Sequence, residues 1–79
     1  MVVHTTKQLI SVLTANIGMT AAELARRLGV SPQFLNNRIK TEKFSIEEWD
    51  EVIRTCGGLF EIHVQSIDGN LDIILKPTK

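Results

Sequence analysis

The chain has 79 residues, of which 43% are hydrophobic and 23% charged, and its formal net charge at pH 7 is zero. This length and composition predict one globular domain, residues 1–79, with a single small core. Neither an apolar run of the roughly 20 residues that cross a bilayer nor a secretory signal pattern is present, so we expect a cytoplasmic protein. Cys56 is the only cysteine, and His4 and His63 lack partners at ligand spacing, so we expect no disulfide, metal or other cofactor.

The charges are distributed unevenly along the sequence. Residues 26–43 contain five bases and the single acid Glu42, whereas residues 44–79 contain seven acids and only three bases, Arg54, Lys76 and Lys79. The chain therefore has a basic middle segment and an acidic C-terminal part. A charge dipole of this kind favours an oriented contact with a polyanion and keeps nonspecific affinity low.

The first predicted helix covers about residues 6–17. Thr5 or Thr6 is a suitable N-cap, and Gly18 follows the end of the helix. Apolar residues recur at helical spacing and are expected to face the core: Leu9, Ile10, Val12, Leu13 and Ile17.

The second predicted helix covers about residues 20–28. Thr20 and Glu23 have the spacing of a capping box, and Gly29 can adopt the positive φ that a sharp exit from a helix requires. Ala25 lies mid-way along this helix, where a side chain larger than methyl would push a neighbouring helix away. A second helix is therefore expected to pack closely against it.

That neighbour is the third predicted helix, at about residues 32–40. Ser31 can cap it, and Pro32 stands at its first position, where the missing N–H is tolerated. Two short helices joined by a tight turn form a helix-turn-helix, which presents its second helix to the major groove of DNA. DNA binding is therefore the leading hypothesis from the residues alone.

A fourth helix and a β-hairpin are predicted after the basic segment. Ser45 and Glu48 form a capping box for a helix at about 46–56, with Ile46, Trp49, Val52 and Ile53 on its buried face. Two alternating runs follow, at about 60–67 and 70–76.

Asp68-Gly69 between these runs predicts a two-residue hairpin turn. That turn would pair Val64 with Ile73 and Ile62 with Leu75, and would set Glu61 opposite Lys76.

The segment that carries a family resemblance is M-T-A-A-E-L-A-R-R-L-G-V-S-P-Q-F-L-N-N-R-I-K, followed by F-S-I-E-E-W. It resembles the Cro/repressor-type (XRE-like) helix-turn-helix DNA-binding family, over about Thr6 to Leu59. The resemblance implies a mainly α fold, a four-helix Cro/repressor-like domain to which this chain adds a C-terminal β-hairpin. It also implies a transcriptional regulator, most simply a repressor. The sequence has no Ser/His/Asp set, no Gly-rich phosphate loop and no carboxylate pair in an apolar pocket, so we expect that the protein is not an enzyme. Many members have an apolar residue where this chain has Arg38, and here the apolar residue follows at Ile39.

The third helix supplies the candidate DNA contacts. By position in the motif, the expected base contacts are Ser31, Gln33, Asn36, Asn37 and Lys40. The expected phosphate contacts are Thr20, Arg26, Arg27, Arg38 and Lys43, and Lys40 is a further candidate. The alternative is that these residues are only a solvated polar surface. Phe34 either packs within the domain or touches a thymine methyl group.

The hairpin is the candidate dimer interface. We expect Phe60, Ile62, Val64, Leu71, Ile73 and Leu75 to cover the helices in part, with Ile67 and Ile74 on the other side. An isolated two-stranded hairpin is marginal and has free edges, so pairing with a second copy is expected. The predicted homodimer interface comprises Ile62, Val64, Ile67, Leu71, Ile73 and Ile74. The alternative functions are a protein-interaction module, such as an antitoxin or antirepressor using the hairpin or the acidic fourth helix, and an architectural role.

Overall fold

A computed structural model describes residues 1–77, so Lys79, one of the bases counted above, lies outside the described residues. Over this range the chain forms four helices and two strands. These are α1 (Thr6–Asn16), α2 (Ala21–Leu28), α3 (Pro32–Thr41), α4 (Ile46–Thr55), β1 (Ile62–Gln65) and β2 (Asp72–Leu75). The strands form an antiparallel hairpin after the helices, so the predicted mainly helical architecture is confirmed. No helix within residues 1–77 combines the length and apolarity needed to cross a membrane.

Side-chain caps set the starts of α1 and α4. Thr5 Oγ1 accepts the Gln8 N–H at 3.1 Å, and Gln8 Oε1 accepts the Thr5 N–H at 3.2 Å. Ser45 and Glu48 form the same reciprocal pair, at 3.1 and 3.2 Å. The capping box predicted for α4 is therefore confirmed, and α1 has one that the sequence did not single out.

The prediction of a capping box for α2 is wrong in one of its two hydrogen bonds, the one from the Thr20 N–H to the Glu23 side chain. Thr20 Oγ1 accepts the Glu23 N–H at 3.1 Å, as expected of an N-cap. The Glu23 carboxylate does not return to the Thr20 backbone and instead binds Arg27 Nη2 at 3.0 Å. A charged partner four residues along the helix competes successfully for this carboxylate, since such pairs face each other on a helix surface.

The core lies around α2, which contacts all three other helices. Leu24 and Ala25 of α2 are fully buried, and the surrounding buried side chains are Ile10, Met19, Leu35, Val52 and Cys56. Ala25 is completely buried, in agreement with its predicted place at a contact between helices. Cys56 is buried, as expected of a structural thiol, and burial raises its pKa.

Three apolar residues that were expected in the core are exposed, namely Val12, Ile17 and Ile46. At about 100° per residue, Val12 points roughly opposite to the buried Ile10 on α1. Ile17 lies at the C-cap, beyond the last helical residue, and Ile46 is the first residue of α4. The predicted apolar stripes were therefore wider than the faces that pack.

The hairpin has the predicted register. Ile62 pairs with Leu75 and Val64 with Ile73, and Lys76 Nζ lies 3.5 Å from Glu61 Oε2. The cross-strand pairs inferred from sequence are therefore confirmed.

The turn of the hairpin is wider than the predicted two-residue turn. The Gly69 N–H donates to the Ser66 carbonyl at 3.1 Å, and the Ser66 N–H donates to the Leu71 carbonyl at 2.9 Å. Asp68 organises the loop by accepting the Ser66 hydroxyl at 2.6 Å and the Asn70 N–H at 3.0 Å. These side-chain hydrogen bonds replace the Ile67–Asn70 backbone pair that a two-residue turn would have required.

The expectation that the hairpin covers the helices is wrong. Between residues 1 and 77, neither strand makes an extensive contact with a helix. Val64, Leu71, Ile73 and Leu75 are each about half exposed, although all four belong to the apolar face. The hairpin extends from the helical body, and the chain measures 43 × 26 × 23 Å along its principal axes.

Candidate nucleic-acid interface

The turn between α2 and α3 is held by backbone hydrogen bonds. Gly29 has a φ of +76°, and the Val30 N–H donates to the Ala25 carbonyl at 3.0 Å. Ser31 then starts α3 by accepting the Phe34 N–H on its hydroxyl oxygen at 3.1 Å. These short-range contacts fix the direction in which α3 leaves the turn, so its outer face has a defined orientation on the body.

That outer face carries four of the five predicted base contacts. At about 100° per residue, Gln33, Asn36, Asn37 and Lys40 fall within an arc of about 100°, opposite the buried Leu35. We call these four residues the α3 stripe. All four are exposed, and their side chains form no hydrogen bond or ion pair within residues 1–77. The stripe is therefore a row of unoccupied donors and acceptors.

Ser31 and Thr20 each cap the start of a helix and are also exposed to solvent. Each hydroxyl oxygen accepts one backbone N–H at the start of its helix, at 3.1 Å. The hydroxyl hydrogen is left to donate to an external acceptor, because a hydroxyl group can donate and accept at once. Both residues are exposed, so an acceptor can reach them.

The arginines of α2 share one acid. Arg27 Nη2 lies 3.0 Å from Glu23 Oε1, and Arg26 Nη2 lies 3.7 Å from the same oxygen. Both side chains remain more than half exposed. One carboxylate between two guanidinium groups leaves a net positive charge on this surface. Lys43 is exposed and forms no ion pair with any residue in the range 1–77.

Arg38 differs from the other basic residues because its side chain makes three contacts within the chain. Its Nη1 donates to the Lys43 carbonyl at 2.6 Å, its Nη2 lies 3.3 Å from Glu48 Oε2, and its guanidinium carbon is 5.1 Å from the centre of the Phe34 ring. Phe34 is about half exposed, with the guanidinium over its ring. Ile39 packs against the core beside it. The one-residue displacement noted in the sequence thus directs Arg38 towards α4 and keeps an apolar contact at Ile39.

A cleft between α1 and α3 borders the α3 stripe. Its walls and floor are formed by Lys7, Ile10, Ser11, Thr14, Ala21, Asn36, Ile39 and Lys40. Lys7 is not predicted from the sequence as a site residue, because it is 33 positions away from Lys40 and no local pattern links them. The packing of α1 against α3 brings them together, helped by Glu42 Oε1, which accepts the Thr6 N–H at 3.0 Å.

The predicted dimer residues are distributed over both faces of the hairpin. The register puts Ile62, Val64 and Ile73 on one face with Leu75, and Ile74 on the opposite face with His63. Ile67 lies fully exposed in the turn. Within residues 1–77 neither strand packs extensively on a helix, and Val64, Leu71, Ile73 and Leu75 on the apolar face are each about half exposed.

Comparison with known families bears on the helical part of the chain. Residues 4–41, just under half of the sequence, match the model of a winged helix-turn-helix DNA-binding family. The matched segment contains α1, α2 and α3 and ends before α4 and the hairpin. No curated protein and no solved structure matches the chain. The match supports a helix-turn-helix of the DNA-binding kind at residues 4–41, without singling out the Cro/repressor type.

Proposed function

We propose that this protein is a sequence-specific DNA-binding regulator of the Cro/repressor type, which inserts α3 into the major groove. The α3 stripe carries the proposal. The carboxamides of Gln33, Asn36 and Asn37 can each bond both N6 and N7 of adenine, an interaction worth about 1–3 kcal/mol of discrimination per base. Asparagine is a mediocre helix former, so two in succession on a ten-residue helix favour a role outside the fold.

The flanking residues fix the position of α3 on the duplex. Ser31 extends the base-contacting set at the start of the helix, Lys40 at its other end is a candidate for a base or a phosphate, and the hydroxyl of Thr20 donates to phosphate. Arg26, Arg27 and Lys43 are the proposed cationic phosphate contacts, because they retain exposed positive charge. Arg38 was expected among them, but its three intramolecular contacts favour a different role, which is to hold α3 against α4.

The regulator acts as a homodimer through the hairpin. Its apolar face is half exposed, and a two-stranded hairpin on its own is only marginally stable in water. A two-fold axis through paired hairpins would separate the two α3 helices by about 34 Å, one turn of DNA, and match a palindromic site. We expect a dimer in analytical ultracentrifugation at micromolar concentration. A monomer there, or a dimer that Ile73→Lys leaves intact, would contradict this part of the proposal.

The test of DNA recognition is selection of bound sequences from a random duplex pool at about 0.15 M salt. An enriched inverted repeat is the expected result, and an enriched single half-site would keep DNA recognition and remove the dimer. Gln33→Ala should relax the preference at one base position. Gln65→Ala is the matched control, since it removes the same side chain from the exposed polar face of the hairpin. An unenriched pool would contradict the proposal.

A second candidate is a protein-interaction module, such as an antitoxin or antirepressor. The uncovered apolar face of the hairpin favours it, because exposed apolar patches commonly mark protein contacts. Acidic residues at the start of α4 would complement a basic partner. Salt dependence separates the two functions, since phosphate contacts impose a steep fall of log affinity with log salt. Under either function the protein binds a macromolecule in the cytoplasm without catalysing a reaction, and as a DNA-binding regulator it represses by occluding a promoter.

A further inference from the structure

We propose that the cleft between α1 and α3 holds a phosphate of the DNA backbone, with Lys7 and Lys40 as its cationic ligands. This inference rests on the proposed function and extends its interface to α1, an element outside the helix-turn-helix pair. The cleft is lined by residues of all three helices in the matched segment.

The walls of the cleft are built from two matching pairs. Lys7 and Ser11 are four residues apart on α1, and Asn36 and Lys40 are four residues apart on α3. Residues at this spacing lie on the same side of a helix, so each wall presents one lysine and one neutral polar group. An anion between the walls would meet donors from both sides.

The floor of the cleft offers no competing polar group. Ile10 is buried and Ile39 packs against the core, and the Thr14 hydroxyl donates to the Ile10 carbonyl at 2.8 Å. Donors are therefore concentrated on the two walls, which suits an anion held at the mouth of the cleft rather than a neutral ligand enclosed within it.

The two lysines of the cleft are not engaged in ion pairs with any described residue. Among the residues of the described range, 1–77, neither Lys7 nor Lys40 forms an ion pair. The only acid of the basic segment, Glu42, directs one carboxylate oxygen to the Thr6 N–H at 3.0 Å. Two lysines around one opening create a local positive potential, and an ammonium group on a flexible stem is a common phosphate ligand.

The position of Lys7 on α1 is unfavourable for the helix itself. It lies in the first turn, which contains no acidic residue, and positive charge there opposes the helix dipole. Because the Glu42 carboxylate lies at the Thr6 N–H and partly offsets this effect, removing the charge should change the stability of α1 little and leave the fold intact.

The cleft also adjoins the α3 stripe, because Asn36 belongs to both. A phosphate held between Lys7 and Lys40 would lie beside the bases that Asn36 reaches. Phosphate contacts set register and orientation without reading sequence. Lys7 is thus a positioning residue for base recognition by α3.

The test uses the full chain and a random-sequence duplex of about 30 base pairs, titrated by fluorescence anisotropy over a series of salt concentrations. Lys7→Gln is expected to reduce the slope of log affinity against log salt by about 0.9. The loss of affinity between about 50 and about 200 mM salt should then be three- to fourfold smaller than for the wild type. Lys7→Arg keeps the charge and should keep the slope.

A matched pair at Ser11 tests the cleft independently. Ser11→Asp and Ser11→Asn have similar shape, and only the aspartate would repel a phosphate. We expect a roughly tenfold weaker complex for Ser11→Asp than for Ser11→Asn, with equal far-ultraviolet circular dichroism. The sequence preference in the selection experiment should be unchanged for Lys7→Gln, because a phosphate contact carries no base information.

The outcomes separate this inference from the proposed function. The phosphate site in the cleft alone would be overturned if the wild-type chain binds duplexes but Lys7→Gln leaves the salt slope unchanged. Equal binding by the two Ser11 variants would overturn it in the same way. A wild-type chain that binds no duplex at any salt concentration would overturn both.

Discussion

The interaction of Arg38 with α4 predicts a measurable loss of stability on its removal. Arg38→Ala removes a hydrogen bond to the Lys43 carbonyl, an ion pair with Glu48 and a contact with the Phe34 ring. The Arg38 and Glu48 side chains are 32% and 37% exposed, so the ion pair contributes at the lower end of about 0.2–1 kcal/mol. A cation–π contact adds about 0.5–1 kcal/mol and the hydrogen bond about 1 kcal/mol.

The expected loss is therefore about 2 kcal/mol of the free energy of unfolding. For a chain of 79 residues this lowers Tm by about 10 °C, since each kcal/mol shifts Tm by about 4–8 °C at this size. Thermal and urea unfolding can be followed by the fluorescence of Trp49, which lies on α4 and contacts the Phe44 ring at a centroid distance of 4.7 Å. Arg26→Ala is the control, because its side chain is 77% exposed.

A double-mutant cycle isolates the ion pair. Glu48→Gln retains the group that accepts the Ser45 N–H, since glutamine also serves in a capping box, and removes only the negative charge. We expect a coupling energy of about 0.5 kcal/mol between Arg38→Ala and Glu48→Gln. The reasoning would be refuted by an Arg38→Ala variant within about 0.5 kcal/mol of Arg26→Ala, a difference too small for three lost contacts.

Three further results are expected. Gly58→Ala should destabilise the fold by about 1–3 kcal/mol in urea unfolding, because an added Cβ would lie 2.9 Å from Ile53 Cγ2 and 3.3 Å from its carbonyl oxygen; wild-type stability would contradict this. The Ser66 hydroxyl holds the pKa of Asp68 below its usual value, so the loop is fully stabilised above about pH 4 and loses that stability as the pH falls through the lowered pKa. An NMR titration with an unshifted Asp68 pKa would oppose that view. Cys56 should react with iodoacetamide far more slowly in the folded chain than in urea, because it is buried and its pKa is raised; equal rates would argue against burial.

The structure that depends on neighbouring residues can be predicted from the sequence of this protein. The helix-turn-helix follows from Ala25, Gly29 and Ser31, whose effects act within a few residues. The hairpin register follows from alternation about Asp68 and Gly69, because a period of two allows only one pairing that keeps the apolar residues on one face. The turn is wider than predicted, because the Asp68 carboxylate accepts hydrogen bonds from the Ser66 hydroxyl and the Asn70 N–H in place of the backbone pair.

The candidate site could be predicted from the sequence only in part, because the residues on either side of the α3 stripe are brought there by helix packing. The α3 stripe is a property of one helix, so the spacing of Gln33, Asn36, Asn37 and Lys40 predicts it directly. Lys7 joins that surface only when α1 packs on α3, which no local pattern reveals. In the sequence Arg38 resembles the other basic residues of the segment, and its contacts with Lys43, Glu48 and Phe34 in the folded chain distinguish it.

The sequence by itself determined the elements whose causes are local, namely the caps, the turn of the helix-turn-helix and the pairing of the strands. The tertiary structure alone decided the contact between helices that neutralises Arg38, its ion pair with Glu48. It also decided that the hairpin stands apart from the helices with its apolar face uncovered. The physical reason is that periodicity identifies an apolar face but does not identify what covers it, and ion pairs between elements depend on distances that are set only when the helices pack.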